Sequence, residues 1–354
     1  MMRGRGGYDP IRPAQTAVDL REPLEETRQG FRADGDMVAY ADIALAQLSG
    51  NHLDSLLGRR IFDPEQEGEM PNVIAQDLRS YVEVGQENST PIDLYYEDHG
   101  SGSPVILIHG YPLNGASWEK QIPALIAAGH RVITYDRRGF GKSSQPTIGY
   151  DYDTFADDLH ALVSYLELRD FSLVGFSMGG GEVARYFGKY GSDGVRKAAI
   201  LSGVPPYLLK TPDNPEGVDK SVFDGIESAI TKDRYAFFTD FFANFYNADV
   251  LMGKRVTQQA VQASFNVAAG CSPTAALQCV PSWYTDFRKD LARITVPTLV
   301  MHGEADRILP INASGARTAK LIKGAKYVVV KDGPHNIAWT HADVVTPELV
   351  SFLG

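Results

Sequence analysis

The residue whose surroundings point most directly to chemistry is Ser177. It lies in Gly175-Phe176-Ser177-Met178-Gly179, a G-x-S-x-G sequence between a strand-like apolar run (171–174) and a helix-like segment (180–190). At such a strand–turn–helix junction the serine takes a strained backbone conformation that only small neighbours tolerate. Its hydroxyl then projects from the carboxyl edge of a sheet, which makes Ser177 the candidate nucleophile.

A serine hydroxyl is hardly ionised at neutral pH, so it needs a base and an acid that orients the base. Asp306 follows the apolar run 298–301, and His335 follows the apolar run 327–330, in the order serine, acid, histidine. We expect all three at one edge of one sheet. Ser177 would attack a carbonyl, His335 would carry its proton to the leaving group, and Asp306 would hold the imidazole tautomer.

Two backbone N–H groups are predicted to stabilise the oxyanion of this reaction. The buried-strand run 104–108 ends in a loop that contains Tyr111, and Met178 directly follows the nucleophile. These are the two positions from which this type of site supplies its N–H donors. His109, in the same loop, is expected to be structural, with a chemical role as the alternative.

Two competing interpretations are less favoured. Asp332 could orient the imidazole in place of Asp306, but it lies only three residues before His335, a short connection for reaching back to the ring. The segment 139–143 looks like part of a phosphate-binding loop, yet Asp136 occupies a position where that motif requires glycine. Its glycines more simply allow a tight turn beside the site.

Taken together, these motifs resemble the cofactor-free (non-haem) bacterial haloperoxidases, the chloroperoxidase, perhydrolase and arylesterase branch of the serine α/β-hydrolases. The resemblance runs from about residue 81 to residue 354. It is carried by Tyr95-Tyr96-Glu97-Asp98-His99-Gly100, His109-Gly110-Tyr111-Pro112, Asp136-Arg137-Arg138-Gly139-Phe140-Gly141, Gly175-Phe176-Ser177-Met178-Gly179, His302-Gly303 with Asp306, and Gly333-Pro334-His335.

The resemblance implies a serine hydrolase that forms an acyl-enzyme and needs no metal, haem or other cofactor. Its partners would be a small-molecule ester or carboxylic acid, with hydrogen peroxide as an alternative acceptor to water and halide as the species that the peracid oxidises. Tyr111 stands where phenylalanine is frequent, and Asn336 where glycine is usual, so the acyl preference does not carry over. The alternative is a ligand sensor that keeps the triad but uses the pocket for binding.

Strand and helix signals alternate from residue 81 onward, which predicts a mostly parallel sheet with helices on both faces and an antiparallel first edge. The resemblance implies that this sheet belongs to an α/β-hydrolase fold. Between about 203 and 288 the helical patterns of a cap take over. One cap helix carries four phenylalanines on one face, either as core packing or as a pocket wall: Phe238, Phe241, Phe242 and Phe245.

Residues 1–80 are predicted to be a separate N-terminal extension. An amphipathic helix is expected over 37–48, and a second short helix through Leu53 and Leu57. The extension has too few apolar residues for a core of its own, so we expect it to pack on the hydrolase, to mediate assembly or to stay partly disordered, with a docking partner as an alternative. A homo-oligomer is therefore predicted.

Composition excludes several classes of partner. The net charge is −10 and no Lys/Arg-rich run occurs, which argues against nucleic acid and against an anionic membrane surface. No apolar run is long enough to span a membrane, and residues 1–24 lack the hydrophobic centre of a signal peptide, so a cytoplasmic location is expected. Cys271 and Cys279 have no zinc-binding spacing and are expected to be unpaired thiols.

Overall fold

The computed structural model of the protein describes residues 80–354, in which eight strands form one sheet in the order β1-β2-β4-β3-β5-β6-β7-β8. The strands are β1 (Tyr81–Glu87), β2 (Thr90–Gly100), β3 (Ser103–Ile108), β4 (His130–Tyr135), β5 (Phe171–Phe176), β6 (Val195–Leu201), β7 (Thr298–Gly303) and β8 (Lys326–Val330). β2 pairs antiparallel with both β1 and β4, and the other neighbouring strands are parallel. The predicted antiparallel edge and parallel centre are confirmed.

Helices cover the sheet and form the insertion between β6 and β7. In the described part of the chain the α-helices are α1 (Ile122–Ala127), α2 (Tyr152–Tyr165), α3 (Met178–Tyr190), α4 (Lys220–Phe245), α5 (Ala248–Leu251), α6 (Gln258–Ala269), α7 (Pro273–Ser282), α8 (Arg288–Leu291), α9 (Gly315–Leu321), α10 (Ile337–Thr340) and α11 (Ala342–Leu353). Strands β5 and β7 are buried along their whole length because each has a neighbouring strand on both sides and helices cover the faces of the sheet.

The helical cap predicted from the sequence consists mainly of α4 to α7. Its longest helix, α4, has a non-helical residue at Asp233, which divides it into two segments. No helix between residues 80 and 354 combines the length and the apolar composition that a membrane crossing requires. The predicted extension, with its helices over 37–48 and through Leu53 and Leu57, lies outside the described residues except for Ser80.

The turn between β5 and α3 is tightly constrained. Ser177 has φ 54° and ψ −115°, a conformation that costs a non-glycine residue about 1–3 kcal/mol. A Cβ at Gly175 would lie 2.3 Å from the Gly179 carbonyl oxygen, and one at Gly179 would lie 2.3 Å from the Ile108 carbonyl oxygen. The two glycines therefore let the start of α3 pack directly on β3 and β5.

We expect Gly179→Ala to lower the free energy of unfolding by at least about 2 kcal/mol, because the new methyl group meets a backbone carbonyl that cannot move aside. Gly225→Ala is the matched control: it also lies in a helix, and nothing is within 4 Å of its Cβ position. That change should be neutral or stabilising by up to about 1 kcal/mol. Urea unfolding of both variants measures the difference, and equal midpoints would contradict the packing described.

Candidate active site

Ser177, Asp306 and His335 meet beyond the carboxyl ends of β5, β7 and β8. His335 Nε2 lies 2.8 Å from Ser177 Oγ, and His335 Nδ1 lies 2.7 Å from Asp306 Oδ2. All three residues are buried, with Ser177 and Asp306 each 7% exposed. The structure thus brings together the three side chains that the sequence singled out. Their order lets the imidazole accept the serine proton while the carboxylate holds its other nitrogen in the N–H form.

The carboxylate of Asp306 is held by hydrogen bonds on both oxygens. Oδ1 accepts the backbone N–H groups of Ile308 and Leu309, both at 2.8 Å. Oδ2 accepts from His335 and lies 3.1 Å from Nε2 of a second histidine, His302. Burial alone would raise the pKa of Asp306, but the charge of His335 and the hydrogen bonds from both histidines outweigh burial and hold that pKa well below its usual range. The carboxylate is therefore ionised when it orients His335.

Two aromatic rings hold the imidazole of His335 in place. The ring centroids of Phe176 and Phe245 each lie 5.2 Å from that of His335, which is fully buried. The backbone N–H of Asn336 also donates to the carbonyl of Phe245, which links the histidine loop to the cap helix. Asp332, the competing acid, is exposed. The carboxylate paired with the imidazole belongs to Asp306.

The two predicted oxyanion donors lie beside the serine. Met178 is the first residue of α3, and the first N–H groups of a helix have no intrahelical partner. A Cβ at Gly110 would lie 2.9 Å from the Cβ of Ser177, so the loop that carries Tyr111 passes directly over the nucleophile. Within residues 80–354 neither the Tyr111 nor the Met178 N–H bonds to another group of the chain. Both can therefore donate to a developing oxyanion.

A buried network that sequence reasoning missed supports these donors. The guanidinium of Arg137 lies 2.7 Å from Glu182 and donates to the carbonyl of His109 at 3.0 Å. His109 Nε2 accepts the Arg137 backbone N–H, and its Nδ1 bonds to the Gly110 carbonyl. Burial and the Arg137 charge keep the pKa of His109 well below its usual value. His109 is thus neutral and has the structural role expected of it.

A narrow cavity opens onto the serine. Its volume is about 30 Å³, and one water-sized sphere takes roughly 10–15 Å³ on this measure, so the space is small. Its walls are mainly apolar, and its lining residues are Tyr111, Ser177, Met178, Val204, Phe241, Trp283, Ile308 and Leu309. The cavity therefore holds only a short chain against the nucleophile.

A second cavity of about 290 Å³ lies outside the first and shares four of its walls: Phe241, Trp283, Ile308 and Leu309. Phe241 thus lines both spaces, whereas Phe238, Phe242 and Phe245 are fully buried in the core. The phenylalanines of the cap helix therefore divide between the two roles considered for them. Nothing in the sequence marked Phe241 apart from its neighbours, because all four share one helix face.

Within residues 80–354 no group of three or more His, Cys, Asp or Glu side chains is arranged to hold a metal ion. The unpaired thiols expected at Cys271 and Cys279 are both buried. Burial raises the pKa of Cys271 to about 11, although Arg234 beside it opposes the rise, so this thiol is unreactive at neutral pH.

Comparison with known proteins agrees with this geometry. A family model described as the α/β hydrolase fold matches residues 103–342. The chain is 63% identical over 273 residues to a protein named putative non-heme chloroperoxidase from Synechocystis, covering 77% of this chain and 99% of that protein. It is 36% identical over 264 residues to a bifunctional esterase/perhydrolase from Acinetobacter calcoaceticus, covering 74% and 96%. The crystal structure of a bromoperoxidase from Bacillus anthracis superposes with a TM-score of 0.74 at 48% identity, covering 77% of this chain and 98% of that one.

Two matched substitutions distinguish the candidate acids. Asp306→Asn should reduce kcat for ester hydrolysis by about 10⁴-fold, because the amide favours the wrong imidazole tautomer and cannot stabilise the imidazolium. Asp332→Asn makes the same chemical change three residues before the histidine and should leave kcat within about twofold, since that side chain is exposed. Steady-state kinetics on both folded variants checks this. The reverse pattern would make Asp332 the orienting acid.

Proposed function

Because the chain belongs to the α/β-hydrolase family, in its non-haem haloperoxidase branch, we propose that it cleaves small carboxylic esters through an acyl-enzyme on Ser177. In this proposal the acyl group passes to water, or to hydrogen peroxide to form a peracid. The observation that carries the proposal is the hydrogen-bonded chain from Ser177 Oγ through His335 to Asp306, at 2.8 and 2.7 Å, beside two free N–H donors.

Acylation uses the three side chains and both N–H donors. Ser177 Oγ attacks the ester carbonyl as its proton passes to His335 Nε2, and the ionised carboxylate of Asp306 stabilises the imidazolium. The carbonyl oxygen becomes an oxyanion that accepts the N–H groups of Tyr111 and Met178, with the positive end of the α3 dipole behind it. The C–O bond to the alcohol then breaks, and His335 returns the proton to the leaving oxygen.

Deacylation repeats these steps with a second nucleophile. His335 takes a proton from water or hydrogen peroxide, whose oxygen attacks the acyl carbonyl, and the bond to Ser177 breaks as the serine regains its proton. The products are a carboxylic acid or a peracid. When a carboxylic acid is the acyl donor, water leaves in the first step, and the peracid product oxidises halide afterwards. The similarity to a bifunctional esterase/perhydrolase supports peroxide as an acceptor.

The two cavities suggest how an ester is divided between them. The 30 Å³ space against Ser177 fits a short acyl chain, whereas the outer 290 Å³ space fits a larger alcohol. The outer space is mainly apolar, with Asp240, Asn244 and Arg307 among its lining residues. We therefore propose esters of short carboxylic acids with bulky apolar alcohols as the substrates.

Ser177→Ala should lower p-nitrophenyl acetate hydrolysis by about 10⁴-fold or more without unfolding the protein, because serine and histidine act as a unit. Peracid formation from acetate and hydrogen peroxide should fall by the same factor. Both rates should survive dialysis against EDTA. More than a tenth of the activity left in Ser177→Ala would overturn the mechanism. Binding without steady turnover by the wild-type protein would instead indicate a ligand sensor.

A pair of phenylalanine substitutions tests the acyl pocket. We expect the wild-type protein to favour acetyl over hexanoyl esters, and Phe241→Ala to raise the hexanoyl-to-acetyl ratio of kcat/KM by about 10-fold, since it widens the space at the serine. Phe237→Ala is the matched control, because Phe237 lines the outer cavity but not the inner cavity at Ser177. It should leave that ratio unchanged. A wild-type preference for hexanoyl esters would show that acyl chains occupy the outer space.

A further inference from the structure

His302 is the penultimate residue of β7, and its side chain contacts Asp306, the acid of the triad. Its side chain is fully buried, and Nε2 lies 2.8 Å from the carbonyl oxygen of Leu309 and 3.1 Å from Asp306 Oδ2. Asp306 Oδ2 is also the oxygen that accepts from His335. One carboxylate oxygen thus faces two imidazoles, one on β7 and one in the loop that follows β8.

The surroundings of His302 determine where its proton lies. Within the described residues Nδ1 is buried and has no hydrogen-bond partner. A Cβ at Gly315 would lie 2.5 Å from that nitrogen, so the backbone of α9 covers it and leaves no space for water. A proton on Nδ1 would be buried without an acceptor, whereas Nε2 faces two oxygens. The geometry therefore favours the tautomer with its N–H on Nε2.

We propose that His302 is a positioning residue, which holds the carboxylate of Asp306 in the orientation that His335 requires. This inference rests on the proposed serine-hydrolase function. The Nε2–H group bonds to Leu309 O at 2.8 Å, and the same nitrogen lies 3.1 Å from Asp306 Oδ2, so His302 contacts both ends of the acid loop (residues 306–309) from β7. A rotation of the carboxylate away from His335 would break this contact as well. Asp306 thus keeps one orientation during turnover.

Packing alone does not account for a histidine at this position. A buried nitrogen without a partner is unfavourable, and an aliphatic side chain would fill the same space without that cost. The approach of the Nε2–H group to the charged Oδ2 of Asp306 offsets the cost of the unpartnered Nδ1, because interactions of N–H groups with ionised oxygens are stronger than those with neutral ones. The backbone N–H groups of Ile308 and Leu309 occupy the other oxygen, Oδ1. Without His302, Oδ2 would have His335 as its one donor among the described residues.

The test compares His302→Met with His302→Gln, two unbranched side chains of similar length. The glutamine amide reaches the Nε2 position and can donate, whereas the methionine cannot. We expect His302→Met to lower kcat for p-nitrophenyl acetate by about 10-fold with KM unchanged, as when a hydrogen-bond partner that orients a reactive group is removed. His302→Gln should remain within about threefold of wild type.

A spectroscopic measurement separates positioning from general weakening of the fold. The proton that His335 shares with Asp306 gives a strongly deshielded NMR signal, which we expect to shift in His302→Met and to stay in place in His302→Gln. If the methionine variant does not fold, His302→Asn replaces it, since its amide is polar but too short to reach Asp306. Equal kcat values and equal spectra in the donor and non-donor variants would overturn the proposal. Ser177→Ala is assayed in parallel: activity retained there would contradict the proposed function instead.

Discussion

The close approach of helix α3 to strands β3 and β5 is the constraint on which the rest of the site depends. It requires glycine at positions 175 and 179, where any Cβ would overlap a backbone carbonyl. It also holds Ser177 at a positive φ, which the surrounding buried strands must stabilise. In return, one short turn places the nucleophile and the first free N–H of a helix side by side. A looser turn would separate the Ser177 hydroxyl from the Met178 N–H, the proposed oxyanion donor.

The buried ion pair beneath this turn contributes more to the positions of the surrounding loops and helix than to the stability of the fold. An ion pair such as Arg137–Glu182 gains little over a well-packed apolar pair, because both charges lose their hydration. The Arg137 side chain instead connects three parts of the fold. Glu182 is on α3, Arg137 follows β4, and the carbonyl of His109 follows β3. The loop and the helix that carry the two N–H donors are thereby tied to one guanidinium. The acid loop contacts β7 in a comparable way, through His302.

Much of this arrangement follows from local patterns in the chain. The strands were predictable from short apolar runs, and Asp306 and His335 from their places just beyond two of them, because parallel strands end at a common edge. The cavities were not, since Phe241 differs from Phe238 only in what the neighbouring elements place against it. The contact between Glu182 and Arg137 joins residues 45 apart in sequence, and no periodicity reports such a pair.

By itself, the sequence determined the fold class, the order of the three reactive residues and the tight turn at the nucleophile. Each of these depends on spacing along the chain or on the backbone freedom of glycine. Only the tertiary structure decided which acid meets the imidazole, which phenylalanine lines the cavity at Ser177 and which histidine contacts Asp306. Those outcomes depend on distances of about 3 Å between side chains on different strands and helices, which are set by packing and burial in three dimensions.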